Sequence, residues 1–191
     1  MKVSLFWVSL FRKFLYTLAL RFVNGNHDES NSPTIEDELQ KNISIDGETV
    51  VCDIIDTNGQ DDFKELRSRY LDQSDAFVIV YAVDDKSSFD YISELYDDIV
   101  RIKKTQNPPC VIFANKCELP APHAIPIEDA KAKSSSSWNN TEIIEVSTNQ
   151  NDNINKGFEK ICRLVLKQNN SKDGKKKEES EDSSNGCCEI Q

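Results

Sequence analysis

The chain has 191 residues, of which 38% are hydrophobic and 29% are charged, so it is long enough to bury one sizeable core. This composition excludes a wholly disordered chain and an integral membrane protein, and the net charge of -10 argues against a general nucleic-acid binder. The chain has six glycines and none lies in the first 24 residues, which excludes a glycine-rich phosphate loop at the amino terminus.

The first 22 residues are basic and apolar, and three interpretations of them stay open. They resemble a signal peptide, although Arg12-Lys13 splits the apolar run. They are also consistent with a replacement first strand and helix, because Lys2–Val8 (KVSLFWV) is rich in strand-forming residues. An incorrectly assigned start of the chain is the third interpretation.

The next elements along the chain are a hairpin and a buried strand. Lys41–Ile45 and Thr49–Ile55 flank Asp46-Gly47, a pair typical of tight hairpin turns. Ala76–Val83 (AFVIVYAV) is a continuous apolar run of strand length, as expected for a strand buried on both faces.

The second half of the chain predicts helices alternating with strands. Apolar residues at helical spacing from Phe89 to Ile102 predict a helix, with Ser87 or Ser88 as its amino-terminal cap. Two buried strands, Cys110–Ala114 and Glu142–Val146, follow. A closing amphipathic helix is predicted from the spacing of Ile154, Phe158, Ile161 and Val165. This alternation predicts an α/β fold, a mostly parallel sheet with helices on both faces.

Polar residues follow three of these strands, where ligands bind in open α/β sheets. They are Asp56-Thr57-Asn58-Gly59-Gln60, Asn115-Lys116-Cys117-Glu118 and Ser147-Thr148-Asn149, with Pro33-Thr34-Ile35-Glu36-Asp37 upstream. In this order and spacing they resemble the Ras subfamily of small GTPases over roughly residues 18–168.

The resemblance implies a small-GTPase, P-loop NTPase-like fold with a mostly parallel six-stranded sheet flanked by helices. The first strand and the phosphate loop are degenerate in this expectation. The implied domains are an atypical amino-terminal segment (1–22), a Ras-like G domain (23–168) and a disordered, lipidated tail (169–191).

The resemblance also implies GTP or GDP as ligand, with Mg²⁺. Thr34 and Asp56 match the residues that hold the metal, Gly59 matches the residue whose N–H meets the γ-phosphate, and Gln60 matches the catalytic glutamine that orients water. A plain Pro-Thr turn is the alternative at Thr34. The matching effector region is Asn31, Ser32, Pro33, Thr34, Ile35, Glu36, Asp37, Glu38 and Leu39.

The residues that match Asn115 and Lys116 brace and cover the base in the family. Glu118 stands where the family usually has the aspartate that selects guanine over adenine, and Asn149 replaces a lysine. The implied nucleotide-binding residues are Asp56, Thr57, Asn58, Gly59, Gln60, Asn115, Lys116, Cys117, Glu118, Ser147 and Thr148. A polar strand-to-helix loop without a ligand is the alternative for the 147–149 segment.

Several positions in the switch regions depart from the family. Asn31 and Leu39 replace tyrosines, His27 replaces a phenylalanine that packs on guanine, and Asn58 replaces an alanine. Asp61–Tyr70 keeps the acidic start, aromatic residue and basic end of the second switch, although an ordinary surface helix would also have this pattern.

The largest departure is the phosphate loop, whose positions fall on Ser9–Tyr16. Leu15 takes the place of the family's lysine and Tyr16 that of the metal-binding hydroxyl, while Arg12 and Lys13 offer charge among bulky neighbours. Hydrogen bonds to charged groups contribute about 1.5–3 kcal/mol each, so these losses would cost on the order of 5–10 kcal/mol of binding free energy.

The carboxyl terminus matches a lipid-anchor motif. Cys188-Glu189-Ile190-Gln191 fits C-a-a-X, so Cys188 is predicted to carry a prenyl group with carboxyl methylation, although Glu189 is not aliphatic. Since one lipid chain gives only marginal membrane binding, Cys187 is the candidate for an added palmitoyl group. The expected location is the cytoplasmic face of the cell membrane.

Two functions follow from these expectations. One is a membrane-anchored GTPase switch that hydrolyses GTP slowly, with effector proteins, exchange factors, GTPase-activating proteins and membrane lipid as partners, and no nucleic acid. The other is a pseudo-GTPase, a binding module of the same fold without a nucleotide cycle.

Overall fold

A computed structural model describes residues 2–8, 12–24, 39–56, 64–139, 141–150 and 153–182. Strands and helices alternate through most of this range. In chain order they are β1 (Lys2–Val8), α1 (Arg12–Asn24), β2 (Leu39–Ile45), β3 (Glu48–Asp56), α2 (Lys64–Gln73), β4 (Ala76–Ala82), α3 (Lys86–Lys103), β5 (Cys110–Asn115), α4 (Ile127–Ser137), β6 (Glu142–Val146) and α5 (Ile154–Asp182).

The strands form one six-stranded sheet in the order β2-β3-β1-β4-β5-β6. Only the β2–β3 pair is antiparallel, and the four other neighbouring pairs are parallel. The predicted α/β fold with a mostly parallel six-stranded sheet is therefore confirmed. β1 lies between β3 and β4, at the centre of the sheet. It is the strand that one interpretation of the first 22 residues predicts.

Two hydrophobic cores lie on opposite faces of the sheet. One core packs α1 and α5 against the sheet, and the other packs α2, α3 and α4. Successive residues of β4 alternate between them, with Val78 in the first and Ile79 in the second, and every residue of this strand is buried. The apolar run AFVIVYA has no polar alternation because both of its faces are covered.

The hairpin between β2 and β3 forms at the predicted turn. Asp46 and Gly47 both have positive φ, 53° and 87°, which is the backbone conformation of a two-residue type I′ turn. Gly47 takes this conformation without steric cost. The turn sets the register in which Ile45 pairs with Glu48.

The amino-terminal cap of α3 differs from the prediction of Ser87 or Ser88. Asp85 is the cap, and its carboxylate accepts hydrogen bonds from the Ser87 N–H and hydroxyl at 2.9 and 2.6 Å. These hydrogen bonds hold the pKa of the Asp85 carboxyl below its ordinary value. Ser88 is buried instead, and its hydroxyl accepts a hydrogen bond from the Ala82 N–H, joining α3 to the end of β4.

The closing helix is longer than its apolar pattern predicts. α5 has 29 residues and reaches Asp182, whereas the sequence predicts a disordered tail from residue 169. Residues 183–191 lie outside the described residues, and the domain boundaries stay a prediction. Within the described ranges, no helix is long and apolar enough to cross a membrane.

Gly157→Ala in α5 is expected to destabilise the fold by about 1–2 kcal/mol. A methyl group there would lie 2.3 Å from Cζ of Phe113, whose ring is fully buried against Phe158. Alanine favours a helix over glycine by about 1 kcal/mol, but the clash with a ring that has no room to move is the larger effect. Urea unfolding measures the change in the free energy of unfolding.

Asn155→Ala is the matched control, because Asn155 is exposed on the same helix. Its free energy of unfolding is expected to change by no more than about 0.5 kcal/mol. A more stable Gly157→Ala variant would contradict the predicted clash.

Candidate functional site

The strands that run parallel bring several predicted site residues to one edge of the sheet. Asp56 ends β3, where it pairs with Trp7 of β1. Asn115 ends β5 and pairs with Ala82 on one side and with Val146 on the other. The carboxyl ends of β1, β3, β4, β5 and β6 therefore share one edge, the position at which open α/β sheets bind ligands.

Asn115 connects the segments that follow β5 and β6. Its side chain is fully buried, and Oδ1 accepts hydrogen bonds from the Thr148 N–H at 3.3 Å and the Thr148 hydroxyl at 3.0 Å. The Cys117 N–H donates to the Val146 carbonyl at 3.4 Å, which is a second link between the two segments. These contacts bring the predicted base-binding residues together.

Lys116 lies on the same edge with a strained backbone. Its φ of 68° is in the left-handed region, which is uncommon for a residue other than glycine and concentrates at functional sites. Its Nζ contacts both carboxylate oxygens of Asp84, at 2.7 and 3.0 Å. The ion pair orients the lysine side chain across the ends of β4 and β5.

The sequence analysis did not identify Asp84 as a site residue. Asp84 follows β4 by two residues, at the same edge as Asn115 and Lys116. The sequence could have identified Asp84, because it follows a predicted buried strand and residues in that position are candidates for ligand binding in a parallel sheet.

The carboxylate of Glu118 forms a contact with the segment after β6. Asn149 Nδ2 donates a hydrogen bond to Glu118 Oε1 at 2.7 Å, although the two residues are 31 positions apart. Glu118 is half-buried and Asn149 is exposed. The two residues that depart from the family pattern in this part of the chain therefore contact each other.

Ser147 stabilises the segment that follows β6. It is fully buried, and its hydroxyl accepts a hydrogen bond from the Gln150 N–H at 3.0 Å. This hydrogen bond holds the turn that presents Thr148 and Asn149 at the edge of the sheet.

The polar groups of this edge include one unpartnered donor atom and one unpartnered acceptor atom among the described residues. Asn115 Nδ2 and Glu118 Oε2 are both buried and have no hydrogen-bond partner among the described residues. An unsatisfied buried polar group costs about 1–3 kcal/mol, so the two groups favour a ligand that offers an acceptor and a donor. A purine base offers both an acceptor and a donor.

Most predicted phosphate, metal and effector residues lie outside the described residues. These are Asn31, Ser32, Pro33, Thr34, Ile35, Glu36, Asp37, Glu38, Thr57, Asn58, Gly59 and Gln60, together with Cys187 and Cys188 of the tail. Leu39 begins β2 and packs on the core of α1 and α5. The backbone of Asp56 lies at the carboxyl end of β3.

The segment expected at the phosphate loop is partly helical. β1 ends at Val8 and α1 begins at Arg12, so the positions of Leu15 and Tyr16 lie on the first helix. Among the described side chains, no cluster of three or more His, Cys, Asp or Glu residues would hold a metal ion. The Mg²⁺ ligands Thr34 and Asp56 stay a prediction.

Comparison with known proteins identifies the family to which this fold belongs. The family model described as "Ras family" matches residues 16–167. The chain is 28% identical over 173 residues to "Ras-like protein 2" of Mucor circinelloides f. lusitanicus, an alignment that covers 91% of this chain and 86% of that protein. The family match covers most of the chain, and with the six-stranded sheet and its polar carboxyl edge it identifies the chain as a member of the Ras family of small GTPases, whose members bind GTP and GDP.

Proposed function

We propose that the chain is a membrane-anchored GTP/GDP-binding switch that hydrolyses GTP slowly. The observation that carries this proposal is the base-binding edge, where the Asn115 amide and the Glu118 carboxylate each leave one buried polar atom without a partner among the described residues. Buried polar groups are usually hydrogen-bonded, and these two lie at the edge where open α/β sheets bind ligands. A guanine base would satisfy both.

Each predicted residue has a distinct role in this proposal. Asn115 and Lys116 brace and cover the base, and Glu118 accepts hydrogen bonds from its edge. Thr34 and Asp56 would hold Mg²⁺, which neutralises charge on the phosphates. Gln60 orients the attacking water, and exchange of GDP for GTP changes the surface that residues 31–39 present to effector proteins.

Analysis of the nucleotide bound to the purified full chain tests this function. The amino terminus is verified by mass spectrometry and the nucleotide is released and quantified by chromatography. Stoichiometric GDP or GTP supports the proposal. A folded chain with the verified terminus and no nucleotide would contradict it.

A pseudo-GTPase is the second candidate, and the first 24 residues favour it. They contain no glycine, the residue whose backbone freedom lets successive N–H groups surround phosphates. The fold would then present the surfaces of residues 31–39 and 61–70 to protein partners without a nucleotide cycle. The empty, folded chain is the result expected for this candidate.

The proposed anchor is a prenyl group on Cys188 with carboxyl methylation, supported by a palmitoyl group on Cys187. The final four residues CEIQ supply the prenylation motif, and the adjacent cysteine supplies the second signal that stable anchoring needs. The cytoplasmic face of the cell membrane is the proposed location.

Cys188→Ser is expected to move the chain from the membrane fraction to the soluble fraction of expressing cells. A prenyl chain contributes about 0.8 kcal/mol of membrane binding per buried CH₂, and a palmitoyl group on Cys187 alone would give only marginal binding. Fractionation followed by immunoblotting measures the change. Ser184→Ala in the same tail is the control, and an unchanged distribution of Cys188→Ser would refute the anchor.

A further inference from the structure

Two buried cysteines from distant parts of the chain contact each other between the sheet and α5. Cys52 lies on β3 and Cys162 on α5, and both side chains are fully buried in the core that packs α1 and α5 against the sheet. Both are free thiols, and their Sγ atoms are 3.2 Å apart. Since a disulfide S–S bond is about 2.05 Å long, the two sulfurs need to approach by only roughly 1 Å to be joined.

We propose that Cys52 and Cys162 are a latent disulfide site, at which a small hydroperoxide joins β3 covalently to α5. This inference is independent of the proposed nucleotide-binding function, because neither cysteine is among the predicted nucleotide-binding residues. The bond would fasten the closing helix to the sheet, and reduction would release it.

The surroundings of Cys52 favour its thiolate, which is the form that reacts with peroxides. The hydrogen bond with Cys162 lowers the pKa of Cys52, and the positive charge of Lys41 lowers it further, while burial acts in the opposite direction. Lys41 pairs with Cys52 across β2 and β3, so the two side chains lie on the same face of the sheet. The Phe22 carbonyl accepts a hydrogen bond from Lys41 Nζ, which holds the ammonium group near this face.

The two cysteines have different roles in the proposed reaction. The same hydrogen bond that favours the Cys52 thiolate favours the neutral thiol of Cys162, and together with burial it raises the pKa of Cys162. Cys52 is therefore the sulfur that attacks the peroxide, and Cys162 is the thiol that completes the disulfide.

Cys110 shows what burial does to a thiol without such a contact. It lies in the core on the other face of the sheet, where its Sγ contacts the Val111 carbonyl at 3.8 Å, and burial raises its pKa. A buried thiol with a raised pKa is inert. The contact between Cys52 and Cys162, and not burial, therefore distinguishes the proposed site.

The reaction balances with hydrogen peroxide as the oxidant. The Cys52 thiolate attacks one oxygen and the O–O bond breaks, which gives a sulfenic acid and a hydroxide that takes up the proton released by Cys52. The Cys162 sulfur then attacks the Cys52 sulfur, so that the S–S bond forms, the S–O bond breaks and water leaves with the Cys162 proton. Two thiols and one peroxide give one disulfide and two waters. Hydrogen peroxide is small enough to enter during local opening of α5.

Treatment of the reduced full chain with hydrogen peroxide tests the inference. Remaining thiols are blocked with N-ethylmaleimide in denaturant, and trypsin then releases Cys52 within residues 42–64 and Cys162 within residues 161–163. The expected product is a linked pair of these two peptides that dithiothreitol separates. Because the bond joins residues 110 positions apart, the midpoint of thermal unfolding should rise by roughly 10 °C and return after reduction.

Cys110→Ala is the matched control, because it removes a buried cysteine from the other core. It should give the linked peptides and the upward shift of the wild type, whereas Cys162→Ala should give neither. The peptide map of the wild type decides the inference even where Cys162→Ala does not fold. A treated wild type in which both peptides carry maleimide, or in which Cys52 is linked to a different cysteine, would overturn the inference and leave the proposed function intact.

Discussion

Phe6→Ala is expected to lower the free energy of unfolding by about 3–5 kcal/mol, the range for removing a fully buried aromatic ring. Phe6 lies on β1 at the centre of the sheet, is fully buried in the core formed with α2, α3 and α4, and stacks on Tyr70 with ring centroids 6.4 Å apart. A loss of this size removes a large part of the stability of a domain of this length. Urea unfolding followed by circular dichroism measures it.

Lys2→Ala on the same strand is the control. The Lys2 side chain is 57% exposed, and its ion pair with Asp53 has an N–O distance of 2.9 Å. Surface ion pairs contribute about 0–1 kcal/mol, so this variant should unfold close to the wild type. Equal effects of the two substitutions would contradict the placement of β1 in the sheet.

The apolar and turn patterns were sufficient to predict most of the fold. β4 and β5 were predicted within a residue or two of their ends, because strands buried on both faces are uninterrupted apolar runs. The hairpin was predicted from Asp46-Gly47, since few residue pairs take positive φ in succession. The residues within each strand or turn decide these features, so the sequence alone is enough to predict them.

Contacts between distant side chains were not predictable in the same way. The pairs Lys116–Asp84 and Asn149–Glu118 join residues 32 and 31 positions apart. These contacts form because the parallel strands end at one edge of the sheet. The order of the strands decides which side chains meet there, and the apolar pattern does not specify that order.

The amino-terminal cap of α3 was also predicted incorrectly. Asp85, Ser87 and Ser88 are all suitable cap residues, and the backbone geometry at Asp85 decides among them.

The two ends of the candidate site come from different parts of the chain. The predicted base-binding residues lie on the segments after β5 and β6, which hydrogen bonds join to each other. The phosphate end depends on the segment after β1, which lacks glycine, and on residues 57–60. The predictions for the base and for the phosphates therefore depend on different segments, and the nucleotide content of the purified protein tests them together.

Asp98→Ala is expected to destabilise the chain by about 2–3 kcal/mol and to loosen α2. The Arg67 side chain on α2 is only 4% exposed, and it donates hydrogen bonds to Asp98 at 2.8 Å and to the Tyr91 hydroxyl at 2.6 Å. Removing one partner of a buried pair costs about 3–5 kcal/mol because it leaves a charge unpaired. Glu94, whose carboxylate is 3.7 Å from Arg67, and the partial exposure of Asp98 reduce that cost.

Asp90→Ala supplies the comparison on the same helix. Asp90 forms an exposed pair with Lys86 at 3.0 Å, and such pairs contribute about 0.3–0.5 kcal/mol. Hydrogen exchange should rise in the amides of α2 in Asp98→Ala and stay unchanged in Asp90→Ala, because only the first removes a link between α2 and α3. Since α2 overlaps the predicted second switch at residues 64–70, faster exchange there would identify the Arg67–Asp98 pair as the contact that holds this surface against the core. Equal exchange in both variants would instead place the anchorage of α2 in its apolar contacts, chiefly Leu71, which is buried in the same core.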